Sequence, residues 1–400
     1  MKGRAHACLL QEASHPARWK GIPTIGLMCH TIMPYHLARY RELGKSGWDV
    51  RIIQVANRHE LYFLNGPEMD EALEIRTLFR ESLENLSPRR ASQAVVAALE
   101  QIDPDIVVVV GYADLSMRAA AKWSRKRSRT CVMVTDTWEG DKKRHFLTEA
   151  WKKRWCRRMY DALFLSGSRS MQYFQKLGVP SEKIWCGVDV VDNAHFSRGA
   201  DEARAEGPRL RAALGLPGSY FLTVARHSPE KNLGVLLGAF QKYQEAGGTN
   251  GLVLAGDGPL RPALEARARI LGLQNVRFLG WLPYDTLPKY YGLAAAFILP
   301  SISEPWGLAV NEAMAAGLPV ALSKMCGCLP ELCRTGDNGF VFNPLDEDGL
   351  GRLMLAMSSE EHDLGRMGRR SGAIIADFTP ESWARNLLDC LNRVGGVVHP

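Results

Sequence analysis

The chain has 400 residues, 46% hydrophobic and 23% charged, with a formal net charge of +7. That length exceeds what one hydrophobic core normally supports, so two domains are expected, and the composition excludes a disordered chain. No run approaches the roughly eighteen apolar residues of a membrane span, and the start, MKGRAHACLLQEASHPARWK, lacks the sustained apolar region of a secretory signal, so a cytoplasmic protein is expected.

In chain order, short apolar runs alternate with helical stretches. The first half carries strand candidates at 24–29, 50–56, 105–110, 130–135, 162–167 and 183–188; the second at 220–225, 251–256, 276–280, 295–300, 319–323 and 339–342. Most are continuously apolar rather than alternating, as strands buried on both faces of a parallel sheet are. Between Arg118 and Arg158 stand 14 Lys/Arg against 4 Asp/Glu, interleaved with Trp123, Trp138, Trp151 and Trp155. Such a segment suits a solvated helix face, or a peripheral contact of 118–158 with an anionic membrane or a phosphorylated acceptor. No nucleic-acid module accompanies it, so no nucleic-acid partner is expected.

The polar stretch Ser197–Pro208 separates the two sets of strands and is the expected boundary. Leu233, Leu236, Leu237 and Phe240 then mark a helix, and Thr379-Pro380 opens another with Trp383, Leu387, Leu391 and Val394 on one stripe. Nine cysteines without a repeating framework fit free thiols. Cys326, Cys328 and Cys333, with no histidine beside them, read as small buried thiols, and no metal is expected.

Four constellations carry chemistry. In VARHSPEKN (224–232), Arg226 follows a strand and Lys231 opens a helix; two fixed cations there neutralise a diphosphate as it leaves. In LVLAGDGPL (252–260), Gly256 and Gly258 allow close backbone approach to a ligand, but Arg261 replaces the third glycine of a dinucleotide fingerprint. In SEPWGLAVNEAMAAGLPV (303–320), Glu304 lies in a turn and Glu312 in the following helix, both at the carboxyl end of a strand. A helix N-terminus favours phosphate, whereas carboxylates suit the hydroxyls on either side of it. Asp103-Pro104-Asp105 precedes its strand and Asp346-Glu347-Asp348 reads as an acidic helix start, so neither is taken as a cation-holding D-x-D motif.

With FLGWLP and GDNGFVFNPLD, these motifs run in order over most of residues 220–346, and the chain resembles glycosyltransferase family four, retaining enzymes of GT-B architecture. The resemblance implies an α/β fold of two doubly wound Rossmann-like domains facing each other across a cleft: an acceptor-side domain at 20–198, a nucleotide-sugar-binding domain at 209–378, and a helix at 380–394 packing back on the first. It further implies that Arg226 and Lys231 hold the diphosphate of a nucleotide sugar donor, that Glu304 contacts the transferred sugar and Glu312 the ribose. The backbone of Gly307, Leu308 and Ala309 would support sugar and phosphate, and that near Leu282 would meet the base. The family's Gly-Gly loop after the first strand is replaced by CHTIMPYHLARYREL, which makes His30, Tyr35, His36 and Arg39 acceptor-side candidates. Asp136 stands about where relatives carry a histidine, as a hydroxyl contact, proton acceptor or helix cap, and Tyr112 is a further cleft-facing candidate. The acceptor would be a saccharide or a lipid-linked one, in polysaccharide or glycoconjugate synthesis. A nucleotide-sugar epimerase, a phosphorylase or a non-catalytic sugar-nucleotide-binding module would share part of this pattern.

Overall fold

The computed structural model describes residues 21–60, 64–65, 70–359 and 361–395. The first half runs β1 (Thr24–Cys29), α1 (Pro34–Gly44), β2 (Asp49–His59), β3 (Leu64–Asn65), β4 (Glu74–Ser82), α2 (Pro88–Ile102), β5 (Ile106–Val110), α3 (Leu115–Lys126), β6 (Thr130–Thr135), α4 (Phe146–Met159), β7 (Ala162–Leu165), α5 (Ser168–Lys176) and β8 (Ile184–Cys186). Its sheet has the order β3-β2-β1-β5-β6-β7-β8, with β4 also paired to β2. All pairings are parallel except β2 with β3.

The second half runs α6 (Asn193–Ala213), β9 (Tyr220–Val224), α7 (Leu233–Glu245), β10 (Gly251–Ala255), α8 (Arg261–Ile270), β11 (Val276–Gly280), α9 (Leu287–Leu293), β12 (Ala296–Leu299), α10 (Leu308–Ala315), β13 (Val320–Ser323), α11 (Leu329–Leu332), β14 (Gly339–Phe342), α12 (Glu347–Ser358), α13 (Leu364–Ile375) and α14 (Pro380–Gly395). This sheet is wholly parallel, ordered β11-β10-β9-β12-β13-β14. The order reverses between β9 and β12, and in the first sheet between β1 and β5. Ligands of doubly wound sheets bind outside the carboxyl ends of strands at such switch points.

Each sheet is covered on both faces by helices, which is why its central strands are largely apolar. Two strands were not expected from the sequence, the two-residue β3 and the longer β4. In β4, EIRTLFRES, exposed and half-buried residues interleave, and its charges hide the apolar minority. Trp383, Leu387 and Leu391 of α14 are buried with Ile25, Leu27 and Tyr40, so the last helix closes one face of the first sheet.

The stretch 197–208, read as the boundary, is helical instead. Phe196, Ala200 and Ala203 of α6 lie on one stripe and belong to the core of the second sheet. The stripe is built of small residues because the helix packs tightly on α9. A Cβ at Gly199 would lie 2.7 Å from Pro288 Cβ, and one at Gly292 would lie 2.5 Å from the Ala200 carbonyl. Gly207-Pro208 kinks the helix without ending it. The chain passes between cores at adjacent residues: Val190 packs with the first sheet and Val191 with the second.

Candidate active site at the sheet switch points

At the second switch point, the loop after β9 meets the loop after β12. Asn232, in the left-handed conformation at φ 57°, donates to the carbonyls of Pro300 at 3.2 Å and Pro344 at 2.8 Å, tying the first loop down. Lys231 Nζ then lies 2.5 Å from Glu304 Oε2, which also accepts from Ser301 Oγ at 3.0 Å. Glu304 is only 6% exposed, so the ammonium and hydroxyl compensate its lost hydration. Arg226 Nε donates to Ser228 Oγ at 3.2 Å and its Nη2 pairs with Glu230. Burial opposes ionisation of Glu230, but the Ser228 and Arg226 bonds prevail and hold it down at about 2. Arg226 is therefore a braced cation rather than a freely swinging one.

The Pro305-Trp306-Gly307 turn starts α10. Trp306 is buried, its Nε1 donating to Asn311 Oδ1 at 2.9 Å, while Gly307 at φ 106° provides a backbone that a side chain would strain. Leu308 and Ala309 open the helix, just after the turn that carries Glu304. Glu312 stands a turn further in and accepts from Tyr291 Oη at 2.6 Å. Burial pushes this carboxyl up to about 7, and the tyrosine bond offsets only part of that. Leu282, half-buried, follows β11.

Gly256 and Gly258 have a packing task that the sequence did not suggest. A Cβ at Gly256 would lie 2.0 Å from the Ala225 carbonyl oxygen, and one at Gly258 2.6 Å from that of His227. These glycines let the loop after β10 lie against the loop carrying Arg226, and so shape the site indirectly. Cys326 and Cys328 are buried and Cys333 half-buried, their thiols pushed up by burial. Asp103 and Asp105 both pair with Arg129, and Asp346 caps α12.

The first switch point opens on a cavity of about 450 Å³ lined by His30, Tyr35, His36, Arg39, Tyr112, Asp136 and Asp189, among others. Its lining residues are unequal. His36 Nδ1 accepts from the Met33 N–H at 3.1 Å, capping α1, and burial followed by the Arg39 charge pushes its pKa well down. Arg39 donates to the Val190 carbonyl at 2.6 Å and 3.1 Å, pinning the crossing between cores, and its cation lies 4.8 Å from the Tyr35 ring. Both therefore have structural work. His30 Nε2 lies 3.8 Å from Asp114, and Tyr112 Oη is buried without a hydrogen-bond partner among the described residues.

Asp136 caps no helix, since α4 begins only at Phe146. Burial, then Asp189, raises its carboxyl to about 7, with Asp141 and Glu304 adding to the effect. Asp189 is itself raised by burial, against Arg39 at 3.8 Å and a Ser166 hydroxyl at 2.5 Å.

The two halves meet here through contacts no local pattern reveals. Trp138 Nε1 donates to the Glu304 carbonyl at 3.0 Å, and Ser303 Oγ bonds the Asp141 carbonyl. Arg169 donates to the Cys326 carbonyl at 2.8 Å, and Glu331 caps α5 by accepting from the Ser168 N–H at 2.6 Å. Asn311 Nδ2 reaches the Asp189 carbonyl at 2.9 Å. Glu304 and Asp136 thus lie near enough for the charge of one to act on the other, and Ser301, Glu230, Tyr291, Asp189 and Trp138 are neighbouring residues that sequence reading missed. Of the four tryptophans in the basic segment, Trp123 is buried on Glu100 and Trp138 is taken by the cleft, so only Trp151 and Trp155 remain near the surface.

Residues 210–372 match the family model described as glycosyl transferases group 1. Among curated relatives, the amylovoran biosynthesis glycosyltransferase AmsK of Erwinia amylovora is 30% identical over 262 residues, 63% of this chain and 61% of that one. The uncharacterized glycosyltransferase MJ1607 of Methanocaldococcus jannaschii is 38% identical over 130 residues, 32% of this chain and 33% of that one. The chain thus spans less than two thirds of these relatives. Among solved structures, Anabaena HepE (Alr3699) in complex with UDP superposes with a TM-score of 0.72 at 18% identity, covering 93% of this chain and 100% of that one. The fold is that of the GT-B glycosyltransferases.

Proposed function

From the match of residues 210–372 to the group 1 glycosyl transferases, we propose that the chain moves a sugar from a nucleoside diphosphate sugar to an acceptor hydroxyl, with retention at the anomeric carbon. The observation that carries this is the Lys231–Glu304 pair, 2.5 Å apart at the β9/β12 switch point and beside the start of α10. A cation, a braced guanidinium and helix N–H groups meet the diphosphate. Two carboxylates, Glu304 and Glu312, flank it where the donor has hydroxyls.

Arg226, Lys231 and the α10 N-terminus stabilise the departing diphosphate, the largest contribution such a site makes to rate. A diphosphate drawing on Lys231 loosens its bond to Glu304, whose carboxylate then accepts from a sugar hydroxyl. Glu312 exchanges its partial protonation for hydrogen bonds from the ribose. Asp136, across the cleft, contacts a hydroxyl of the transferred sugar or the acceptor. The 136–141 loop, bonded to the Ser303–Glu304 turn, keeps water from the reacting centre. That UDP accompanies HepE supports a nucleotide donor. The acceptor belongs in the cavity of the first domain, as a saccharide or lipid-linked glycan in polysaccharide or glycoconjugate synthesis. The work of a metal is assigned to the cationic pair and the helix terminus.

The test is incubation with UDP-glucose, UDP-N-acetylglucosamine and GDP-mannose, each with and without free saccharides, reading nucleoside diphosphate release. Product anomers are assigned by proton NMR. Release that depends on a saccharide and yields a retained anomer supports the reading. Interconversion of nucleotide sugars, or product formed only with inorganic phosphate, replaces it with an epimerase or a phosphorylase.

A further inference from the structure

One surface of the first domain is built unlike the rest. The outward face of α4 carries Phe146, Leu147 and Trp151 in its first half and Arg154, Arg157 and Arg158 in its second. Phe146 is 73% exposed, Leu147 61% and Trp151 37%; Leu115 on the adjoining α3 is 47% exposed. Arg118 joins the two helices, its guanidinium 4.8 Å from the Trp151 ring centre, and Trp151 stacks on Trp155 at 5.3 Å. Lys142 and Lys143 are exposed just before α4, and Lys153 beside Arg154.

The acids of the segment do not offset these charges. Glu149 is held by Lys152 and Tyr173, Asp141 by Arg144 and Glu139 by Lys176. Among the described residues, no ion pair engages Lys142, Lys143, Lys153, Arg154, Arg157 or Arg158. Like charges one turn apart on a helix repel. Large apolar side chains grouped in water are unfavourable as well. A partner that is anionic on its surface and apolar beneath resolves both.

We propose that this face docks on an anionic lipid bilayer, with Phe146, Leu147, Trp151 and Leu115 entering the boundary between headgroups and acyl chains and the basic residues meeting lipid phosphates. A nucleic acid would satisfy the charge but gives the apolar cluster nothing to enter. Ala113, Asp114 and Lys142, which border the face, also line the cavity of the first domain. A membrane-borne acceptor therefore reaches that cavity without leaving the surface. This last step rests on the transferase reading; the docking itself does not.

The test is flotation of the full chain with vesicles of phosphatidylcholine alone and of phosphatidylcholine with phosphatidylglycerol. Binding to the anionic vesicles is expected to fall about tenfold or more in K153E/R154E/R157E/R158E. In F146S/L147S the binding that survives high salt is expected to vanish. Lys152 is left intact because it is buried on Glu149 and Tyr173. Circular dichroism and the nucleotide-induced rise in melting temperature serve as fold and donor-site controls, so failure to dock is distinguishable from failure of the transferase reading. No flotation of the wild type, or equal flotation of both variants, overturns the proposal. So does binding that F146S/L147S leaves unchanged while a single-stranded RNA homopolymer displaces it, which would make the face a polyanion site.

Discussion

Lys231 and Glu304 form a 2.5 Å ion pair across the point where the strand order of the second sheet reverses. Each comes from a loop at the carboxyl end of a different strand, 73 residues apart in the chain. On the proposed reading, a diphosphate that attracts the ammonium frees the carboxylate for a sugar hydroxyl, so the pair would couple phosphate binding to sugar binding.

Lys231→Met should lower kcat/KM by about 10²–10³-fold through lost leaving-group stabilisation. It also leaves the Glu304 carboxylate buried beside Ser301 alone, which should destabilise the fold by about 3–5 kcal/mol. Adding Glu304→Gln should restore most of the stability and none of the activity. Denaturant unfolding and steady-state kinetics on the three proteins separate the two effects; a double variant as unstable as the single one contradicts the pairing.

Donor affinity should depend on Glu312. Its carboxyl is raised to about 7 by burial, and ribose hydroxyls donate to the ionised form, so the donor binds the deprotonated site. Affinity should therefore be level above about pH 7 and fall by up to about tenfold per unit below it. Glu312→Gln should flatten that profile and weaken binding by about 10–100-fold throughout. Calorimetric titration between about pH 5.5 and 8.5 is the check.

Asp136 should reveal itself in stability. Its folded-state value of about 7 lies above the ordinary carboxyl value of 3.8, so the folded chain holds an extra proton between those limits. Its contribution is favourable at low pH and is lost as pH rises toward about 7. Asp136→Asn should thus stabilise the protein by about 1–3 kcal/mol near pH 8 and by little near pH 4. An equal melting-temperature difference at both ends rules out this electrostatic origin.

Trp138→Phe keeps the ring but removes the donor to the Glu304 carbonyl. One hydrogen bond across the cleft is worth about 1 kcal/mol, so donor KM should rise about fivefold. Small-angle scattering should show a larger radius of gyration without nucleotide. An unchanged radius and KM would mean that this bond does not hold the halves together.

The candidate site residues of the second half could be picked out because their signals are local. VARHSPEKN places its charges in the loop after β9, SEPWGLAVNE places Glu304 in the turn before α10 and Glu312 within that helix, and apolar runs reveal strands buried on both faces. What lay beyond reading is long-range or compensated. Small residues hid the buried stripe of α6, because Ala200 and Ala203 resemble linker composition until Gly292 is seen against them. The glycines of LVLAGDGPL suggested a ligand, whereas the nearest backbone is that of Ala225 and His227. His36 and Arg39 looked available, yet one caps its own helix and the other holds the Val190 carbonyl. Asp189, Trp138 and Glu331 work across the cleft, and no spacing in the chain announces them.

On the proposed reading, the β9/β12 switch point holds a nucleoside diphosphate sugar between Lys231, Glu304 and Glu312. Calorimetric titration of the wild type, Lys231→Ala and Glu304→Ala with UDP, GDP and their sugar conjugates tests it directly. The wild type should bind at least one nucleotide sugar, with both substitutions weakening it by tenfold or more, about 1.4 kcal/mol. Undiminished binding by both variants would contradict it.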